Sequence, residues 1–312
     1  MSDKILIVDD LHPVFKERAK EMGYVVDDRP LITRAETLAV ISDYKGIAVR
    51  TKFKIDQEFL DAGINLNFVA RAGAGMDNID VAYAERKNIL LLNAPEGNCD
   101  AVGEHAVGLL LCLANTFRRA DRQIRSGIWD REGNRGWELK GKTVGIIGYG
   151  FMGQSFASKL SGFGVKVIAY DKYKTGFSDA YATEVSMEEI VRQSDVLSLH
   201  IPLTSETRQM VNEEYLFHFR KPIYFLNTAR GEIVNTQAIL DAIDKGKIMG
   251  AGLDVLEAEK FPLLGEQAWY DALIHSGKLL LTPHVAGWTF DSYRKISEVL
   301  AEKLSRNSNK LG

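Results

Sequence analysis

The segment 142–171 constrains the fold of this chain more tightly than any other. An apolar run, Lys142-Thr-Val-Gly-Ile-Ile, leads into Gly148-Tyr-Gly150-Phe-Met-Gly153-Gln, and a helical stretch, Val165-Lys-Val-Ile-Ala-Tyr and Asp171 follow. Strand, glycine turn, helix, strand and acid, in that order, make a βαβ unit whose turn holds the pyrophosphate of a dinucleotide. Gly148 permits the tight turn, Gly150 lets a phosphate approach the backbone, and Gly153 lets helix and strand pack closely. The helix start at Phe151 and Met152 offers free N–H groups and the positive end of a helix dipole. Asp171 can accept hydrogen bonds from ribose hydroxyls and repels a 2′-phosphate, which favours NAD over NADP. The adjacent Lys172 acts in the opposite sense.

The rest of the chain repeats this alternation. Strands are expected at 5–8, 47–50, 67–70 and 89–92. After Gly141 the pattern restarts, with strands at 144–147, 165–170, 196–200, 223–227, 250–255 and 279–282. Strands alternating with amphipathic helical segments predict parallel sheets covered on both faces, and the restart predicts two of them. A length of 312 residues suits two domains. Segment 100–119 is apolar on most sides and reads as a covered helix. Segment 118–137 reads as an exposed arm, either solvated surface or a dimer contact. A terminal helix is expected over 290–304.

Composition narrows the partners. A formal charge of −3 gives no reason to expect nucleic acid or an anionic membrane, and no apolar run approaches a membrane span. The short run Ile-Leu-Ile-Val near the start is bounded by acids and reads as a strand, not a signal peptide. Cys99 and Cys112 suggest neither a disulfide framework nor a metal site, and point to a reducing, cytoplasmic setting.

In open parallel sheets ligands bind at the carboxyl ends of the strands. Those ends carry His200-Ile-Pro202-Leu-Thr204, Asn227-Thr228-Ala229-Arg230, Asp254-Val-Leu-Glu257-Ala-Glu259 and Thr282-Pro-His284. Reduction of a 2-keto acid asks for such groups. Arg230 can grip a carboxylate and polarise the adjoining carbonyl. His284 can exchange a proton with the oxygen that changes charge, and Glu259 can orient the imidazole from its far nitrogen. His105 reads as a satisfied core histidine, and His200 as a residue that shapes the cofactor site. His12, His218 and His275 have no context that suggests chemistry.

These motifs, with Arg71-Ala-Gly-Ala-Gly-Met-Asp-Asn-Ile-Asp80, Asn93-Ala-Pro-Glu-Gly-Asn98, Glu104-His-Ala and Gly252-Leu-Asp-Val255, resemble the D-isomer-specific 2-hydroxyacid dehydrogenases over essentially the whole chain. The resemblance implies an α/β fold of two doubly wound parallel-sheet domains. A Rossmann NAD-binding domain at 99–285 would be inserted into a flavodoxin-like substrate domain made of 1–98 and 286–312, which closes onto it. It implies a homodimer built through the NAD-binding domains. It further implies that Pro202, Thr228 and Asp254 contact the nicotinamide half of NAD, with Thr204, Ala229, His284 and Gly287 in the same site. The amides of Ala74 and Gly75 would hold the substrate carboxylate.

Within the family the chain most resembles the branch that oxidises 3-phospho-D-glycerate to 3-phosphohydroxypyruvate at the head of serine synthesis. Arg50, Lys52 and Arg71 would supply cations for the phosphate, with Asn98 lining the pocket. Reduction of hydroxypyruvate or glyoxylate is the alternative, with those charges merely solvated. A third reading, of another class, is a protein that senses NADH and recruits partners. Phe151 stands where the family often has a basic residue. No room remains for an appended serine-sensing domain, and Trp288 is bulky for its place.

Overall fold

The computed structural model describes residues 3–311. The chain forms two units, Met1–Cys99 with Trp288–Gly312, and Asp100–Gly287. The boundaries at 99/100 and 287/288 lie slightly beyond the expected 98/99 and 285/286.

The smaller unit is built on five parallel strands: β1 (Lys4–Ile7), β2 (Val25–Asp28), β3 (Gly46–Val49), β4 (Phe68–Arg71) and β5 (Leu90–Leu92). Their order in the sheet is β2-β1-β3-β4-β5, the flavodoxin-like arrangement. One face buries Ile5, Ile7, Phe68 and Leu92 under helices Pro13–Glu21 and Phe290–Leu311, through Phe15, Ala19, Leu300 and Leu304. The other face buries Leu6, Ile47, Val49 and Val69 against Phe59 and Leu60 of helix Gln57–Ala62. The order in which strands are added reverses between β1 and β3, so the loops after these two strands diverge, the place where such sheets leave a crevice for a ligand. Asp9 and Asp10 follow β1, and Arg50 follows β3.

The larger unit has seven parallel strands: β6 (Thr143–Ile147), β7 (Lys166–Tyr170), β8 (Thr183–Glu184), β9 (Val196–Leu199), β10 (Ile223–Asn227), β11 (Ile248–Leu253) and β12 (Leu279–Leu281). The order β12-β11-β10-β9-β6-β7-β8 places β6 and β9 side by side at the switch point, as in a Rossmann sheet with one added strand. Helices on one face contribute Ile190, Leu216, Ile239 and Ile243 to the core. Leu109, Leu110, Phe156 and Leu160 cover the other.

Several local expectations change. Strands β2 and β8 were absent from the sequence reading. Val-Val-Asp-Asp is a half-exposed edge without apolar alternation, and Thr183–Glu184 is too short to carry a pattern. The long helix runs over Pro95–Ala114, not 100–119, because a proline in the first turn needs no hydrogen-bonded N–H. Thr116 then takes a left-handed conformation, φ +53°, which breaks the helix before Phe117–Arg125. The exposed arm is therefore partly helical. Beyond it the chain folds back, and the Trp137 amide donates to the Ala114 carbonyl at 3.0 Å. The terminal helix extends over Phe290–Leu311, past the expected 304.

Candidate active site

The glycine turn joins β6 to helix Phe151–Lys159. Gly148 has φ +92°, and a Cβ there would meet the His200 carbonyl oxygen at 2.4 Å. A Cβ on Gly153 would lie 2.1 Å from the Gly148 oxygen, so only glycine allows this helix to start so near the strand. At Gly150, by contrast, a Cβ would meet no atom within 4 Å, which leaves open space over the helix start. No side chain caps this helix, and no acid occupies its first turn. Phe151 is exposed and Met152 half-buried, so both can offer the backbone of that first turn.

Asp171 follows directly on β7. Its two oxygens accept from the Tyr149 and Tyr173 amides, each at 2.9 Å, and carboxylate lone pairs remain for ribose hydroxyls. The charge on Lys172 is already engaged: its ammonium pairs with Glu206, which also accepts from Tyr173 Oη at 3.0 Å. Lys172 holds Glu206 below the usual carboxylate range, and Glu206 raises Lys172.

At the ends of β9 and β10 two buried polar atoms, His200 Nδ1 and Thr228 Oγ1, have no hydrogen-bond partner among the described residues. Such atoms cost free energy unless a ligand satisfies them. The open cradle and these orphaned atoms fit a dinucleotide lying along the strand ends. His200 Nε2 meets Ser198 Oγ at 2.9 Å, and burial pushes the imidazole down to about 3, so the ring is neutral. Pro202 and Thr204 belong to a loop closed on itself through Thr207.

Asn227, 1% exposed, accepts from the Ala229 amide and donates to the Arg230 carbonyl, which shapes the loop that presents Arg230. The Arg230 guanidinium donates to the Ala229 carbonyl at 2.6 Å. After β11, Glu257 is tied to the Thr236 amide and Gln209. Glu259, two residues on, reaches His284 Nδ1 at 2.8 Å. Because a carboxylate only accepts, Nδ1 carries the proton, and Nε2 is the basic atom of the neutral ring.

His284 sits in a strained turn, φ +55°. Its amide donates to the Asp254 carbonyl at 2.7 Å. The Asp254 carboxylate accepts from Thr282 Oγ1 at 2.5 Å, the Val285 amide at 3.0 Å and the Ala286 amide at 2.9 Å. Asp254, expected to contact nicotinamide, is 1% exposed and serves this turn. His105 is also more than core: its Nε2 lies 3.0 Å from Thr282 Oγ1. Sequence reasoning missed both supports because each acts through contacts more than twenty-five residues distant. Gly287 ends this segment of the unit.

In the smaller unit the turn after β4 is held open. Asn93 donates to the Ala74 carbonyl and the Ala94 amide to the Gly73 carbonyl. No group among the described residues takes the Ala74 or Gly75 amides. The Arg71 guanidinium lies against the Gly73 α-carbon, where a Cβ would fall 1.7 Å from a guanidinium nitrogen. Asn98 is half-buried, and its Oδ1 is enclosed without a partner among the described residues. Arg50 borders a small cavity with Asp10, Ala72, Trp288 and Tyr293, and its guanidinium lies 3.7 Å from the Trp288 ring centroid. Lys52 does not join it; its ammonium donates to the Pro30 carbonyl at 2.5 Å.

Comparison with known proteins agrees with this geometry. The family described as D-isomer specific 2-hydroxyacid dehydrogenase, NAD binding domain, matches residues 107–286. A hydroxypyruvate reductase of Thermotoga maritima is 36% identical over 273 residues, covering 88% of this chain and 88% of its own length. A D-3-phosphoglycerate dehydrogenase of Archaeoglobus fulgidus is 31% identical over 303 residues, 96% of this chain. This chain spans only 56% of that relative's length. The crystal structure of a D-lactate dehydrogenase from Aquifex aeolicus, complexed with NAD and lactic acid, is similar with a TM-score of 0.82 and 27% identity. It covers 99% of this chain and 96% of that one. The chain belongs to the D-isomer specific 2-hydroxyacid dehydrogenase family. It is an NAD-dependent oxidoreductase acting on 2-hydroxy acids.

Proposed function

We propose that the substrate is a short D-2-hydroxy acid with a second anionic group, and that 3-phospho-D-glycerate, oxidised to 3-phosphohydroxypyruvate, is the best candidate. The observation that carries this reading is Arg50. Its guanidinium is laid on Trp288 and makes no hydrogen bond or ion pair among the described residues. A single carboxylate asks for one guanidinium fork, whereas a further cation suits a further anion. On this reading the enzyme supplies the first oxidation of a serine-forming sequence.

The chain's own groups then have defined tasks. Nε2 of His284 takes the hydroxyl proton, while Nδ1–H donates to Glu259, whose charge stabilises the imidazolium. Arg230 neutralises the carboxylate and polarises the forming carbonyl. NAD, when bound, would supply the acceptor for the hydride that leaves the hydroxyl-bearing carbon. Thr228 and His200 would hold the cofactor through the atoms that otherwise lack partners. The apolar side chains of Phe117, Ile124, Ile128 and Trp129 are exposed on and after helix Phe117–Arg125, which supports a homodimer through the larger unit. Cys99 and Cys112 form no disulfide, which suits a reducing, cytoplasmic setting.

Hydroxypyruvate or glyoxylate reduction is the second reading. It is favoured by the engagement of Lys52 with Pro30, which leaves fewer cations for a phosphate. NADH formation from NAD and 3-phospho-D-glycerate, measured beside NADH loss with hydroxypyruvate and glyoxylate, separates the two. A strong preference for the phosphorylated acid is expected, and equal or greater efficiency with the small keto acids overturns it. His284→Gln should abolish turnover while NADH still binds.

A further inference from the structure

Two neighbouring aspartates hold, respectively, the backbone that carries Arg50 and the aromatic pair on which its guanidinium lies. Asp9 Oδ2 accepts from the backbone amides of Arg50, Thr51 and Lys52 at 3.0, 3.0 and 3.1 Å, and Asn78 donates to the Arg50 carbonyl at 3.2 Å. The strand end is thus pinned before the side chain begins. Asp10, next along the chain, accepts from Tyr293 Oη at 2.8 Å. The Tyr293 ring meets Trp288 edge to face, with centroids 5.5 Å apart and planes at 81°. His12 also packs edge to face with Tyr293, with centroids 5.4 Å apart. Trp288 in turn carries the guanidinium on its face.

We infer that Trp288, braced by Tyr293 and Asp10, is a positioning residue that turns Arg50 into a fork for the second anionic group of the substrate. The inference rests on the substrate reading above. A guanidinium carries its five N–H donors in its plane, and an aromatic face takes the cation without using any of them. Stacking therefore orders the side chain while leaving its edge free. Asp10 accepts from the tyrosine hydroxyl and forms no ion pair with Arg50 among the described residues, so the fork stays open. Burial and Asp10 push the Tyr293 phenol up to about 12, so it remains a donor at any working pH. A phosphate or carboxylate would bind the open edge through two parallel hydrogen bonds.

The bulk of Trp288 thus has a use beyond filling space. A small residue there would leave Arg50 with all its rotamers, and the cost of ordering it would fall on substrate binding.

The test compares Trp288→Ala, Trp288→Phe and Arg50→Met in the full-length enzyme, with NADH binding and the melting temperature as checks on folding. Trp288→Ala should raise KM for 3-phospho-D-glycerate about tenfold or more, matching Arg50→Met in direction. It should leave KM for NAD and kcat/KM for glyoxylate within about twofold. Trp288→Phe, which keeps an aromatic face, should restore most of the loss. An equal effect of Trp288→Ala on both acids, or none on either, overturns the inference. If the wild type shows no preference for the phosphorylated acid, the substrate reading has failed, and inhibition by inorganic phosphate still probes the fork. That inhibition should weaken in Trp288→Ala and Arg50→Met alike; unchanged inhibition in Trp288→Ala refutes the positioning role.

Discussion

Glu259 Oε2 accepts from His284 Nδ1 at 2.8 Å, although the two residues stand at opposite ends of a twenty-five-residue excursion. Both side chains are more than a third exposed. An ion pair so exposed adds at most ~1 kcal/mol to stability. Glu259→Gln should therefore leave the denaturation midpoint nearly unchanged and lower kcat by about a hundredfold. A large loss of stability with little loss of kcat would assign the pair to folding.

Asp254 bears on stability more directly. Its carboxylate holds Thr282, Val285 and Ala286 around the left-handed His284. Asp254→Ala should cost about 3 kcal/mol of unfolding free energy, because buried donors lose a charged acceptor. It should also reduce turnover. Urea denaturation of the variant measures the first effect, and unaltered stability would contradict the buried network.

Two glycines in one turn should respond differently. Gly153→Ala forces a Cβ within 2.1 Å of the Gly148 oxygen and should destabilise the larger unit by about 1–3 kcal/mol. Gly150→Ala meets no protein atom within 4 Å and should fold normally, yet bind NADH at least about tenfold more weakly. Thermal unfolding and NADH fluorescence titration, run side by side, distinguish the two.

Glu206 holds Lys172, the cation next in sequence to Asp171. Glu206→Gln should release that charge and improve NADPH binding about fivefold relative to NADH. The ratio of dissociation constants at low salt is the measurement, and an unchanged ratio would show that Asp171 alone sets the preference.

His200 gives a pH dependence. Its Nδ1 is enclosed, and the folded protein holds the imidazole at about 3, against an ordinary 6.5. Unfolding therefore takes up a proton between those values. Its contribution is fully favourable above pH ~6.5 and falls as the pH drops toward ~3, by up to about 1.4 kcal/mol per pH unit. His200→Gln should shrink the loss of stability between pH 7 and pH 5 by about 2 kcal/mol. Equal losses in variant and wild type would mean that the imidazole is protonated in the folded protein.

The glycine turn, Asp171 and ten of the strands were legible because each depends on residues a few positions apart. Turn geometry, helix starts and apolar runs act at that range. The roles expected of Arg230, Glu259 and His284 came from strand ends, which local pattern also marks. Edge strand β2 escaped because its solvent-facing Val-Val-Asp-Asp carries no burial signal.

Other features had no local signature. Nothing near Arg50 announces that Trp288 will lie on it, nor does Asp10 announce Tyr293, 283 residues away. Lys52 has the same charge as Arg50 and lies two residues beyond it, yet turns to Pro30. Asp254 looks in sequence like a cofactor ligand, and the fold also gives it the turn around His284 to hold. Backbone pattern is set by short-range sterics and burial, so the chain's own sequence determined the sheets and the cradle. The direction of a charged side chain depends on which donors, acceptors and ring faces arrive from distant segments, and only the folded protein decides that.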